Sequence, residues 1–429
     1  MLTETHNSHL NDNIVPRSER GAARIRARIA ALVDRSGVDT GNDRALSSRQ
    51  AAEVARACFP QLGITRLARV TGLDRIGIPV WTAIRPNAAS LSVSQGKGID
   101  DDAAIASAIF EAAEIAVAER PHPAAFSATT ASLAAAGRTL LDATRYLRKG
   151  ERAPSPDESA LWVEGLDLLS GEAILLPEDV VRVADVPGCR YWQTSDGLGT
   201  GSNILEASIH GLCEIIERDA MALWSFLGDA EVARREVTPS ALGDTVADMA
   251  AQIEAAGFRL RLFDATSDIR VPTYLAVLID DERERAGLKY VDVASGSGTH
   301  PVAARAALRA ITEAVQTRLT TITGSRDDVD PGEYARALPP DLRLYAGDGE
   351  PHAGVGAGYT GERSLVAYHD WIVARVRDAG VRSLALVELD APDFPFVIAR
   401  VVAPDLEQDP RSGNRKPGRR LVRAMLRVA

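Results

Sequence analysis

The sequence predicts an α+β chain built from repeated strand, glycine-turn and helix units, and three observations carry that prediction. Short β-type runs alternate with helical runs from Ile64 onward. Gly96-x-Gly98 is followed thirteen residues after its second glycine by Glu111-x-x-Glu114, and Gly199-x-Gly201 at the same interval by Glu214-x-x-Glu217. Glu111, Glu114, Glu206, Glu214, Glu217 and Glu313 sit at helical spacing on runs that are otherwise apolar. A helix that buries its apolar sides cannot also bury bare carboxylates, since each loses solvation worth several kcal/mol.

Taken in order, residues 1–16 are polar and read as a disordered tail, and residues 17–62 as a small helical segment. Its two helices are expected near Ser18–Arg35 and Ser47–Cys58, the second capped by Ser47 or Ser48, with a turn over Gly37–Asp43. The main body spans residues 63–405. It opens with β-type runs at Thr65–Thr71, Pro79–Arg85 and Leu91–Ser94, then the apolar helix Ala103–Glu119. A helical connector is expected over Ser132–Leu147. Strands are expected at Leu161–Leu168, Arg190–Thr194, Arg259–Phe263, Thr273–Ile279 and Lys289–Ala294, with helices at Leu205–Trp224 and Val302–Thr321. Residues 324–362, rich in Gly, Pro and Asp, read as an exposed excursion. A helix at Ser364–Asp378, strands at Ser383–Leu389 and Phe394–Val402, and a basic tail over residues 406–429 complete the chain.

With 429 residues, 45% hydrophobic and 25% charged, the chain is long enough for a large core and has a globular composition. Its formal net charge of −10 argues against non-specific nucleic-acid or anionic-membrane binding. Cys58, Cys189 and Cys213 form no CxxC pair, so a disulfide framework or structural zinc is not expected, and a reducing cytoplasm is. No window approaches the ~18 consecutive apolar residues of a membrane span.

The site is read from three helices. Ser107, Glu111 and Glu114 lie at i, i+4 and i+7, on one face. An ordinary solvated acidic stripe would carry interleaved cations, and none is present at i±3 or i±4. On the second helix Glu206 and Glu217 lie about 20° apart around the axis and Glu214 about 60° from Glu217. Ser202 precedes Glu206 by one turn, and Arg218 supplies a cation suited to a triphosphate. The third helix aligns Arg305, Arg309, Glu313 and Gln316; alone, it would read as an exposed Arg309–Glu313 pair. Several oxygens converging from different helices suit Mg²⁺ carrying a nucleotide. Gly96-Lys97-Gly98 lacks the rest of a P-loop, and the Gly197–Asn203 run, whose amides could hold phosphates, lacks a dinucleotide register. Cys213 and Trp224 read as core, His300 as a cap.

Three motifs, SxxxExxE at Ser107–Glu114, SxxxE at Ser202–Glu206 running into ExxER at Glu214–Arg218, and RxxxExxQ at Arg309–Gln316, resemble the nucleotide-binding signature of the YcaO family. SQGKG at Ser94–Gly98 and EASIHGLCEIIERDA at Glu206–Ala220 resemble its most recognisable stretches. The resemblance runs from about Gly72 to Pro404. It implies a YcaO-type fold around a central ATP site and an enzyme using ATP and Mg²⁺ to O-phosphorylate a peptide backbone amide before a nucleophile completes the substitution. By motif, Glu111, Glu114, Glu206, Glu214 and Glu217 would hold Mg²⁺. Ser107, Ser202, Arg218, Arg309 and Glu313 would contact ATP, with Lys97 near the phosphates.

The basic GRRLVRAMLRVA end lacks the proline-rich tail of azoline-forming members, and the residues before the main body are too few for a ubiquitin-activating-like partner domain. The Gly72–Gly98 stretch looks like stand-alone members linked to a TfuA-type partner. Those features favour thioamide formation in ribosomal peptide products, with a TfuA-like partner and a sulfide source, over azoline or amidine formation. The resemblance also suggests a homodimer. A nucleotide-binding scaffold that modifies no peptide is the non-enzyme alternative; retention of all three motifs argues against it.

Overall fold

In the computed structural model the described residues are 20–33, 44–184, 188–280, 287–326, 330–346, 349–352, 356, 358–389, 391, 394–408 and 417–428. The tail over residues 1–16 and the Gly37–Asp43 turn lie outside them. In chain order the principal elements begin with α1 (Arg20–Val33), α2 (Ser48–Arg56), β1 (Arg66–Arg69), β2 (Val80–Ile84), β3 (Val93–Lys97) and α3 (Asp101–Ala118). There follow β4 (Phe126–Thr129), β5 (Ser159–Asp167), β6 (Ala173–Pro177), β7 (Leu198–Gly201), α4 (Ile204–Trp224) and α5 (Asp244–Ala255). The chain continues through β8 (Phe258–Asp264), β9 (Thr273–Asp280), β10 (Val293–Thr299) and α6 (Ala303–Thr323). It closes with α7 (Leu365–Asp378), β11 (Ala385–Glu388), β12 (Val397–Val402) and α8 (Arg419–Val428).

The strands form three antiparallel sheets, ordered β1-β2-β3, β10-β9-β8 and β4-β5-β11-β12-β7, with β6 on β5. The α+β expectation therefore holds. Three strand–helix units organise the centre: β3 with α3, β7 with α4, and β10 with α6. In each, a strand glycine lies flat against its own helix. A Cβ on Gly96 would stand 2.1 Å from Ala104 O and Ala108 N; on Gly199, 2.3 Å from Ala207 O; on Gly298, 2.2 Å from Ala306 O. The helix partner is eight residues on in every case, the N-cap (Asp100, Asn203, Val302) four on, and the first site glutamate (Glu111, Glu214, Glu313) fifteen on. The two-unit echo in the sequence is thus a three-unit repeat.

The units close on one another. α3 packs also on β7 of the second unit, α4 on β10 of the third, and α6 back on β3 of the first. Gly298→Ala should lower stability by about 1–3 kcal/mol or more, because strand and helix backbones cannot separate without disrupting the ring; a thermal melt beside wild type reads this directly.

Around the ring, α1 docks on β5, with Ala22 N donating to Glu164 Oε1 (3.0 Å), while Arg24 and Arg28 pair with buried Glu388 at 3.1 and 3.0 Å. The described C-terminal residues, 417–428, are anchored to the body. Arg420 of α8 grips fully buried Asp219 with two hydrogen bonds of 2.8 Å, and Glu407 accepts from Gly418 N (2.9 Å) and Leu421 N (3.1 Å).

Several local expectations are corrected. Ser132–Leu147 is a short helix (Thr130–Ala135) and a 3₁₀ turn (Ala143–Tyr146), because Leu140 leaves to bridge Leu175. Arg190–Thr194 forms no strand; Tyr191 bridges Leu147 alone. β3 and β10 run later than expected, their glycines being held by the helices behind them. The 324–362 stretch is not wholly exposed: Leu338 is buried, Tyr345 meets the Phe263 ring edge, and His352 bridges Val237. β4, β6, β7 and α5 lay outside the sequence reading.

Candidate active site

The ring brings the conspicuous glutamates together. Glu114 on α3 is buried beside Thr200 of β7, yet neither its Oε1 nor the Thr200 hydroxyl completes a hydrogen bond. On α4, Glu217 is buried and its Oε1 accepts from Ser297 Oγ of β10 at 2.8 Å. On α6, Gln316 Nε2 donates to Gln95 O of β3 at 2.8 Å, and Lys97 of β3 pairs with Glu313 Oε2. Each helix thus reaches the strand of the neighbouring unit from an equivalent position. Glu313 takes its cation from Lys97, not from the Arg309 one turn before it, as helix spacing alone suggested.

Burial and crowding raise four of these carboxyls. Burial, opposed by Arg326 and Lys97, pushes the Glu111 carboxyl up to about 7. Burial and the nearby Glu214 push Glu114 up to about 8. Burial, opposed by Arg218 and reinforced by Asp196 and Glu217, raises Glu214 to about 7. Glu217 is raised by burial and by Glu313. Glu313 goes the other way: burial raises it, but Lys97 and Arg218 together outweigh that and hold it low.

Cations border this acidic group. Arg218 Nε meets Asp196 Oδ1 at 3.2 Å and its Nη2 meets Glu214 Oε1 at 3.4 Å. Although burial disfavours its charge, Glu214 and Asp196 outweigh that and raise its pKa. Arg309 stands close enough to depress His210 and His300. Burial does most of that work: His300 falls to about 3 and is neutral, its Nδ1 accepting from the N-cap amide of Val302 at 3.0 Å. His300 is not the cap expected of it, since Val302 holds the N-cap position and His300 accepts from that residue's amide, whereas Cys213 is buried core as expected.

Glu206 lies on a different side of the site. Its Oε2 accepts from Ser202 N at 2.7 Å and its Oε1 from Ala45 N, with Arg44 nearby. Ser202 therefore engages through its backbone, and Ser107 sits half-buried on the Glu111 face. Sequence reasoning missed Arg44, Gln95, Asp196, Thr200 and Ser297. The last stands immediately before Gly298 as Gln95 stands before Gly96, and the fifteen-residue step from Gly298 to Glu313 is the sequence signal for it.

Among the described residues no three acidic, histidine or cysteine side chains converge tightly enough to cage a metal ion alone. Mg²⁺ rarely needs such a cage, since it keeps waters and takes one or two carboxylates plus substrate phosphates. An unsatisfied buried carboxylate oxygen on Glu114, proton-bearing neighbours, hard oxygen donors and bordering Lys and Arg fit a Mg²⁺–nucleotide.

The family model described as YcaO cyclodehydratase, ATP- and Mg²⁺-binding, matches residues 95–407. The chain belongs to the YcaO family, and with it is an ATP-dependent peptide-modifying enzyme whose cofactors are ATP and Mg²⁺. It is 37% identical over 389 residues to an uncharacterized protein in the tfuA 3′ region of Rhizobium leguminosarum bv. trifolii, covering 87% of this chain and 91% of that one. An uncharacterized protein of Methanothermobacter thermautotrophicus is 30% identical, over 81% of this chain and 90% of its own length. In fold, the chain is similar to a heterocyclase in complex with substrate and cofactor (TM-score 0.68, 18% identity, 85% of this chain and 53% of that one). It is likewise similar to YcaO from Methanopyrus kandleri bound with AMPPCP and Mg²⁺ (TM-score 0.65, 21% identity, 88% and 96%). No described helix is long and apolar enough to cross a membrane.

Proposed function

We propose that this chain activates a peptide backbone amide by phosphorylating its oxygen and then substitutes sulfur for that oxygen, giving a thioamide. The observation that carries the reading is the ring itself: carboxylates from α3 and α4 crowded together, their pKa values raised by burial and by one another, beside Lys97, Arg218 and Arg309. Bound Mg²⁺–ATP supplies the γ-phosphoryl group and the charge neutralisation that lets phosphate leave the carbonyl carbon. Glu111, Glu114, Glu206, Glu214 and Glu217 hold Mg²⁺. Ser107, Ser202, Arg218, Arg309 and Glu313 contact the nucleotide, and Lys97 lies by its phosphates. Lys97 pairs with Glu313, which positions both groups.

Sulfide as the nucleophile is supported by the relative encoded in the tfuA 3′ region, which also favours a TfuA-like protein as partner. The family description, cyclodehydratase, favours ring closure by a neighbouring Cys, Ser or Thr instead. Mass spectrometry of a peptide substrate incubated with the protein, ATP and sulfide separates them. Thioamidation gives a product heavier by the difference between sulfur and oxygen, with one ADP and one phosphate released. Loss of one water with no need for sulfide gives the azoline reading.

A further inference from the structure

A cavity of about 190 Å³ opens where α3 ends, walled by Val117, Ala118, Val181, Leu389 and Phe394. Two observations tie it to the ATP site. Val117 and Ala118 follow Glu114 by three and four residues, so the acidic face of α3 turns apolar about 5 Å further along the helix. Phe394 stacks on Phe396 (centroids 5.2 Å apart), and Phe396 meets the edge of Phe110 (5.4 Å), the residue before Glu111. A run of rings thus reaches from the cavity to α3 at the turn that carries Glu111.

Its rim is fixed rather than open to any partner. His122 Nε2 lies 3.0 Å from Glu388 O, and His122 N donates to buried Glu178 Oε1 at 3.1 Å. The neighbouring guanidinium groups are also engaged, Arg182 Nε with Glu119 O (3.1 Å) and Arg120 Nη2 with Gln61 O (3.1 Å). Size narrows the occupant. Apolar cavities of roughly 150 Å³ hold a benzene ring, whereas sites for whole small molecules run to roughly 300–1,000 Å³. One large apolar side chain fits.

We propose that this cavity receives a large apolar side chain of the peptide substrate, on a residue two or three positions from the amide that is modified. The proposal rests on the reading above that the chain acts on peptides. An extended peptide advances about 3.3 Å per residue. One to two turns of α3, about 5–10 Å, therefore correspond to a residue two or three positions from the reacting amide. The site so becomes selective for sequence near the modified position, by burial alone.

The test titrates the full chain with N-acetyl-phenylalanine methylamide and N-acetyl-serine methylamide, followed by NMR. The phenylalanine probe should bind at least tenfold more tightly. Ala391→Trp, which fills the cavity, should abolish that preference, and Phe394→Ala, which removes one wall, should reduce it severalfold. Equal affinity of wild type for the two probes overturns the proposal, whatever the variants do. A phenylalanine preference untouched by both variants overturns it as well, because the ring then binds elsewhere. AMPPCP affinity with Mg²⁺, measured on the same wild-type sample, separates the two readings: its absence sinks amide activation, while a probe preference that responds to the variants still stands.

Discussion

Glu217→Gln should lower ATP hydrolysis by at least about a hundredfold, while the ligand-free protein melts no lower than wild type. The two halves of this result come from one cause. Glu217 is buried, and burial together with Glu313 opposes its charge. Glutamine has nearly the same shape, and its amide oxygen can still accept from Ser297 Oγ. Removing the charge therefore costs the fold nothing and relieves desolvation. A metal held by that carboxylate loses a ligand, and a few kcal/mol of lost transition-state stabilisation is a factor of a hundred or more. Mg²⁺–ATP at about a hundred times its Kd should stabilise wild type by about 2.7 kcal/mol and the variant by clearly less. ADP release with differential scanning calorimetry reads both halves. A variant rate within a few-fold of wild type would remove Glu217 from the metal site.

The second large effect is with pH. Glu111 and Glu214 titrate at about 7 and Glu114 at about 8, against about 4.5 in the unfolded chain. Between those values the folded protein keeps protons that the unfolded chain has lost. Ligand-free stability is thus greatest with respect to these groups below about pH 4.5, and it falls as pH rises through 7 to 8. The upper bound is about 1.4 kcal/mol per pH unit for each group, and mutual coupling reduces the sum. Glu313, held low by Lys97 and Arg218 against burial, acts oppositely and loses its contribution only in acid. Magnesium must displace the retained protons. The gain in melting temperature caused by Mg²⁺–ATP should consequently grow from pH 6 to about 8.5, with protons released on binding. Calorimetric titration in two buffers of different ionisation heat measures that release. A binding heat independent of buffer, with a pH-independent melting gain, would contradict the assignment of these carboxyls to the cation.

The helices of the site were legible because each carries its own signals. Asp100 and Asn203 are good caps, and the apolar runs behind them are long enough that α3, α4 and α6 begin within two residues of expectation. The family signature placed the same three helices around one centre. The strands were less legible. β7 is Leu-Gly-Thr-Gly, poor in β propensity; pairing with β12 makes it a strand, and the sequence reads as a loop. The third repeat was hidden because His300 occupies the place of Gly98 and Gly201, and Gln316 that of Glu114 and Glu217. Lys97–Glu313 and Ser297–Glu217 span 216 and 80 residues, and no local pattern points across such distances. α5 was missed although Val246, Met249, Ala250 and Ile253 are spaced for a buried helical face.

The cyclic order of the three units makes the centre behave like an iris with three blades. Lys97 ties the first blade's strand to Glu313 of α6, and α6 in turn shares β10 with the Glu217 of α4. No blade can therefore be displaced without disturbing a contact to each of the other two.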